Sequence, residues 1–531
     1  MKKTLFLSVI LGAALCSSAF AEETTATVSG NNNRELNLNS ATYQNVDKVI
    51  FDQTADGTNN FFTSGEQTYS QAIQIGNGTD SQGMMINNGY GNVVTFTGKV
   101  TGSGTFQKTG AGTKLQIVFA GDVTDYEGAI NLSANSSATF TLRFGGDDVT
   151  AVATTETKGV SGTGTISFKN GGANTLEYKY NAAETPVYIT NAITTTAGTS
   201  YVNLAGGADY VMTKAAQINN LALKDSSDLT LEDTFDGMIR NYGTSDITLE
   251  GANYSNLEIR AYDAETTTLT VTGQTADLTI KQIIQDPNDG THGHIDVVLD
   301  NGHKTSISNW ATVDSMTLKN NSSLILNNHT VGTLTVATGS RSVVTGSAGI
   351  GTQHHTLSNI VVDEDASLTL GEANATVQTL TMADGAALTM GDRTTHTYNL
   401  TTTDLTVDGE ANMTGNLVVN NGTMTFANDS ILTMGGSVTI GNTVTVVLTD
   451  TMVESIMAGN DVAIFSGVNQ ANLGQSLTFI GSGAMSGYVA EHESKYSLKQ
   501  VGDTIYIAPE PATATLSLLA LAALAARRKR H

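Results

Sequence analysis

One spacing recurs along this chain and constrains its fold more than any other feature. An apolar-x-apolar triplet is followed by five mostly polar residues and a second apolar-x-apolar triplet. It occurs as Leu221-Ala222-Leu223 with Leu229-Thr230-Leu231, and as Met316-Thr317-Leu318 with Leu324-Ile325-Leu326. It returns as Ile360-Val361-Val362 with Leu368-Thr369-Leu370, and as Leu380-Thr381-Met382 with Leu388-Thr389-Met390. Leu405-Thr406-Val407 with Met413-Thr414-Gly415 is a weaker copy. Period-two alternation puts both apolar side chains of a triplet on one strand face and the intervening residue, usually Thr, on the other. The linkers, such as Lys319-Asn320-Asn321-Ser322-Ser323 and Ala383-Asp384-Gly385-Ala386-Ala387, are built of turn formers.

Strands this short cannot bury a core alone, so they must stack. Successive copies lie roughly 20 residues apart, about one coil of a parallel β-solenoid. Coils stacked at ~4.8 Å would give a rod on the order of 100 Å long. A series of β-sandwiches also yields short strands at close intervals and is the alternative. Composition favours the solenoid, because aromatic residues are 6% and Trp 1, sparse for sandwich cores. Gly is 54, Pro 4 and hydrophobic residues 39%, which fits many short strands with turns and excludes a disordered chain. With one Cys there is no disulfide framework. The expected fold class is all-β: a parallel β-helix or solenoid, with a signal peptide before it and a single hydrophobic helix after it.

Both ends carry targeting patterns. Lys2 and Lys3, the apolar run Leu5 to Leu15, and Ala19-Phe20-Ala21 form a secretory signal peptide, with Ala19 and Ala21 at the cleavage site and Glu22 as the mature start. Cys16 falls inside this segment, and Leu15 before it is too bulky for a lipid-attachment site. At the other end Pro509-Glu510-Pro511 precedes an uncharged run from Ala512 to Ala526, then Arg527-Arg528-Lys529-Arg530-His531. As a helix the run would span about 22 Å, a marginal crossing of a ~30 Å hydrocarbon core, with the basic tail held cytoplasmic.

This tripeptide, apolar helix and Arg-rich tail resemble the PEP-CTERM sorting signal of Gram-negative bacteria. The resemblance implies a transient inner-membrane anchor and recognition by a membrane-embedded exosortase-type enzyme. Release near the tripeptide to the outer surface or the extracellular matrix would follow. Pro509, Glu510, Pro511, Arg527, Arg528, Lys529 and Arg530 are the residues that match. The other implied partner is the secretion translocon.

A second resemblance lies in Thr101-Gly102-Ser103-Gly104-Thr105-Phe106-Gln107-Lys108-Thr109-Gly110-Ala111-Gly112, continuing to Ile117, with Gly121, Tyr126 and Gly128 following. It is similar to the autotransporter-associated β-strand repeat, in which a Gly-x-Gly strand, a Lys-x-Gly-x-Gly turn and a Leu-rich strand make one coil. A degenerate copy follows at Gly162-Thr163-Gly164-Thr165-Ile166. Autotransporters end in a membrane β-barrel, whereas this sequence passes from Tyr506-Ile507-Ala508 into the sorting pattern, which implies a different export route. The expected organisation is 1–21 signal peptide, 22–95 N-terminal cap, 96–440 solenoid repeats, 441–508 C-terminal cap or small β-module, and 509–531 sorting signal.

The net charge is −24, and the body between the two ends is more acidic still, which repels nucleic acid. No Gly-x-Ser-x-Gly elbow, phosphate-binding Gly-Lys-Ser/Thr loop or His-Glu-x-x-His pattern occurs, so no catalytic residue is assigned. Asp286, Asp289, His292 and His294, near Asp296, His303 and Trp310, form the best local candidate for a cation or sugar. The EF-hand spacing fails there, since Gly290 stands fifth and no Glu stands twelfth. A polar projecting loop is the plainer reading of this segment and of His354-His355. No cofactor is expected beyond weak binding of calcium to the acidic surface. The expected function is a structural or adhesive protein of the cell surface or matrix, with glycans or extracellular polysaccharide as candidate partners. The alternative is a β-helix polysaccharide-processing enzyme, a glycosidase or lyase.

Overall fold

The computed structural model describes residues 23–29, 35–54, 61–62, 65–76, 82–86, 92–110, 114–133, 139–151, 154–169, 172–182, 185–262, 265–285, 293–346, 355–371, 374–390, 398–427 and 430–509. The described chain is a parallel β-solenoid with three sides. One coil shows the plan. Glu66–Tyr69 lies on the first face, Ala72–Ile75 on the second and Gln82–Ile86 on the third. Val93–Phe96, Val100–Gly102 and Thr105–Lys108 then stack in register on those three strands, all parallel. Parallel pairing of this kind, repeated coil upon coil, excludes a series of antiparallel sandwiches.

The repeated spacing of the sequence marks two strands and the corner between them. Met316, Leu318, Leu324 and Leu326 are all buried, and Thr317 faces outward. Strand copies stack as expected: Leu380 sits on Ile360, and Leu388 on Leu368. The corner bends through left-handed backbone, at φ 49° for Asn320 and 63° for Asn321. Asn tolerates that region better than any residue but Gly. Below the turn, buried Ser322 accepts hydrogen bonds through Oγ from the amides of Asn301 and Gly302, each at 3.1 Å, which ties one corner to its predecessor.

The interior differs along the rod. Between Tyr69 and Tyr178 the first face contributes a ladder of rings, Tyr69, Phe96, Phe119, Phe144 and Tyr178, with neighbouring centroids 5.5–5.8 Å apart. Beyond it the ladder passes to Leu204 and Leu223. Buried tyrosines brace the corners from within: Tyr126 donates to the Gly104 carbonyl at 2.7 Å and accepts the Phe106 amide at 3.0 Å.

Near the C-terminus the stacking changes character. Helix Asp450–Met457 is capped by Thr449, whose side chain accepts the Met452 amide, and buries Met452, Val453 and Ile456. Strand Val462–Ser466 pairs in parallel with Ile431–Met434 and antiparallel with Thr504–Pro509. The latter forms a hairpin with Tyr496–Val501, so the last coil meets an antiparallel hairpin in place of another coil.

Candidate binding surface

The residues singled out in sequence fall in different places. Ala19, Ala21, Glu510, Pro511, Arg527, Arg528, Lys529 and Arg530 lie outside the described residues, as do Asp286, Asp289, His292 and His354. Among the described residues no helix is long and apolar enough to cross a membrane. Pro509 ends the terminal hairpin strand opposite Tyr496. His294 begins strand His294–Asp300, is exposed, and places Nδ1 2.8 Å from Oδ2 of Asp314 in the adjoining coil. Asp296 accepts a hydrogen bond from Ser315, and the His303 amide bonds Asn301. The backbone of His355 pairs in register with that of His329 in the coil before it. Among the described residues no group of three or more His, Cys, Asp and Glu is placed to hold a metal ion.

A different surface gathers chemistry that the sequence leaves scattered. On the first face, strands Thr199–Ala205, Ala216–Leu223, Phe235–Asn241 and Tyr254–Ala261 stack in turn. Val202, Leu221, Ile239 and Ile259 point inward and are fully buried. Alternation then forces their neighbours outward in two columns. One runs Tyr201, Asn220, Met238, Glu258, and the other Asn203, Ala222, Arg240, Arg260. Of these, Tyr201, Asn203, Asn220, Ala222 and Arg240 line an open groove of about 510 Å³ together with Lys224, Asp225 and Tyr242.

Tyr242 and Tyr262 sit just beyond successive strands, with rings 5.0 Å apart and inclined by only 14°. Tyr242 leads into a turn that is fixed from inside. Asn241 is buried and donates through Nδ2 to the Gly243 carbonyl at 2.6 Å and to Thr267 Oγ1 at 2.8 Å. The Arg240 guanidinium lies 5.9 Å from the Tyr262 ring centroid, within range of a cation–π contact, and its Nε donates to Met238 Sδ at 3.2 Å. Tyr201 on its strand is 38% exposed and Tyr242, just past the next, 37%. Further along the same face Trp310, the only Trp in the chain, is 51% exposed.

The charges on this face also differ from those of the whole chain. Glu258 is clamped between Lys281 Nζ at 2.6 Å and an Arg260 NH at 3.3 Å. Burial acts to raise its carboxyl pKa, but the hydrogen bonds and charges of Lys281 and Arg260 outweigh that and hold it below the ordinary value. Asp225 accepts the Gly206 amide through Oδ2 at 3.1 Å and so serves its corner. Among the described residues no carboxylate lies within ion-pair distance of Lys224 or Arg240. The groove and its continuation therefore present an excess of positive charge on a protein of net charge −24.

No protein-family model and no curated protein matches this sequence. Among solved structures it is similar to the crystal structure of the Haemophilus influenzae Hap adhesin, with 12% sequence identity and a TM-score of 0.27 over 87% of this chain. The match covers 63% of the adhesin chain, so this chain spans less than two thirds of its length, and the fold assignment above rests on strand pairing alone.

Proposed function

We propose that the chain is an exported structural and adhesive β-solenoid of the cell surface or extracellular matrix of a Gram-negative bacterium. Export through the translocon removes the segment ending at Ala21. An exosortase-type enzyme then recognises Pro509, Glu510, Pro511 and the basic tail, and passes the rod outward. The observation that supports this reading best is the use made of the chain. Parallel stacking begins with Thr25–Ser29 on Lys48–Thr54 and is still present at Thr478–Gly481 on Thr445–Leu448. Almost the whole body is thus spent on one rod whose outward faces repeat along its length. Such a scaffold suits several weak contacts along one surface, where each contact raises the effective concentration for the next.

The test is the intact mass and C-terminal peptide of the native protein, taken separately from inner-membrane and surface fractions. A surface form beginning at Glu22 and lacking the Arg-rich tail is expected. A full-length tail found only in the inner membrane would overturn the sorting step and leave a tail-anchored periplasmic rod.

A further inference from the structure

We infer that the first-face groove around Arg240 is a binding site for a carboxylate-bearing polysaccharide, a polymer of uronic acid residues. Three features of the groove converge on that ligand class. Tyr242 and Tyr262 form a stacked aromatic pair at the rim, with a flat apolar surface of the kind on which a sugar ring packs through its C–H face. Asn203 and Asn220 supply amide donors and acceptors for hydroxyl groups beside that surface. Arg240 and Lys224, the two cations lining the groove, have no carboxylate partner among the described residues, and guanidinium matches carboxylate geometry with two parallel hydrogen bonds. A neutral glycan would leave both of these charges unused.

The dimensions fit a chain rather than a small molecule. The groove is open and crosses several coils, and coils rise by ~4.8 Å, close to the advance of one sugar residue in an extended polymer. Trp310 lies further along the same outward face, its neighbour Ala311 stacked on Ile283 of the previous coil. A polymer following the rod axis from the groove would meet it. Recognition must act at short range, because the chain as a whole carries −24 and repels a polyanion from a distance. The inference rests on the matrix reading only for where the ligand is met; the site itself is a property of the folded rod.

The experiment is titration of the purified full chain with polygalacturonate, its methyl-esterified form, dextran sulfate and poly-glutamate, with melting temperature recorded for every variant. Polygalacturonate is expected to bind best. The double change Arg240→Gln with Lys224→Gln should weaken it at least tenfold, and Tyr242→Ala with Tyr262→Ala by a similar factor, at unchanged melting temperature. Lys319→Gln, on an exposed corner, should change nothing. Equal binding of the methyl ester would overturn the carboxylate assignment. Equal binding of dextran sulfate or poly-glutamate, indifferent to the tyrosine changes, would reduce the site to unspecific charge. No binding of polygalacturonate, or binding untouched by either double variant, would overturn the site outright. None of these results bears on sorting, which the C-terminal mass reads independently.

Discussion

Lys108 is the one lysine or arginine fully buried among the described residues, and it conflicts with its surroundings. Its side chain is fully buried, 5.7 Å from the centroid of the Phe140 ring, and its Nζ donates to the Thr109 carbonyl. Burial pushes its pKa from the ordinary lysine value down to about 8. The unfolded chain therefore holds a proton that the folded chain gives up between about pH 8 and 10.5, so stability rises with pH across that window and the burial penalty is felt in full below it. Lys108→Met should stabilise the protein at pH 7 by on the order of 1–3 kcal/mol, less the polar contacts of Nζ that are lost, and the gain should vanish by pH 10.5. Urea unfolding at the two pH values reads both halves, and an unchanged midpoint at pH 7 would refute the penalty. Asn321 shows the other way a single residue shapes the rod. At φ 63° it also accepts the Arg341 amide through Oδ1 at 2.8 Å. Replacement by Ala loses the bond and incurs strain, a cost of about 2 kcal/mol, whereas Gly loses only the bond and should cost about half as much. Equal costs in thermal unfolding would show that the left-handed backbone is not what selects Asn there.

Glycine stacking shows how elements fit one another at the corner between the second and third faces. A Cβ added at Gly128 would stand 1.9 Å from the Gly104 carbonyl oxygen, and one at Gly164 would stand 1.9 Å from that of Gly128. Three successive coils therefore approach too closely there for any side chain, and the Gly-x-Gly pattern of the sequence is the trace of that approach. Gly128→Ala should cost on the order of 3 kcal/mol. Gly487→Ala, in helix Ser486–Glu491 with nothing within 4 Å, should stabilise by about 0.5–1 kcal/mol. Measured side by side, equal effects would remove the argument from close approach. Elements of this kind were legible in the sequence because alternation and turn chemistry are local. The side of the rod on which each pair lies was not. Leu221 and Leu229 span the corner from first to second face, since they stack on Val202 and Tyr210. Met316 and Leu324 span the next corner, stacking on Val297 and Thr305. Asp225-Ser226 and Asn320-Asn321 turn with nearly the same left-handed geometry, so identical spacing serves two different corners. The groove was hidden for a related reason. Tyr201, Tyr242 and Tyr262 lie in separate stretches of sequence, and only the register of stacked coils brings them to one face. A signal was present in the parity of Tyr201, one step out of phase with buried Val202 and Leu204.

A rod built this way is nearly one-dimensional, and its weakest places are its ends. Each interior coil is covered by a neighbour on either side, but a terminal coil would offer three rows of unpaired backbone groups as templates for another chain. At the C-terminal end that exposure is met by changing the direction of the chain. Thr504–Pro509 runs antiparallel to Val462–Ser466, and the hairpin it makes with Tyr496–Val501 cannot accept a further coil in the same sense. Ile505 and Ile507 are buried here, and so is Val489 of helix Ser486–Glu491, which packs on strand Thr478–Gly481, so the end is closed by apolar side chains. The rim carries charge as well, with Lys499 Nζ 2.6 Å from Asp461. A chain ended after Leu448 would keep every coil up to Thr445–Leu448 yet leave the apolar ends of Ile431–Met434, Val438–Ile440 and Thr445–Leu448 uncovered. Its strong net negative charge resists association only weakly at physiological salt, where repulsion fades within ~8 Å. The truncated rod should therefore form end-to-end dimers and larger species while keeping its strand content, and light scattering after size exclusion would show them growing with concentration. A monodisperse monomer with unaltered unfolding would mean that the open edge is tolerated, and that the hairpin after Tyr496 serves some purpose other than closing the stack.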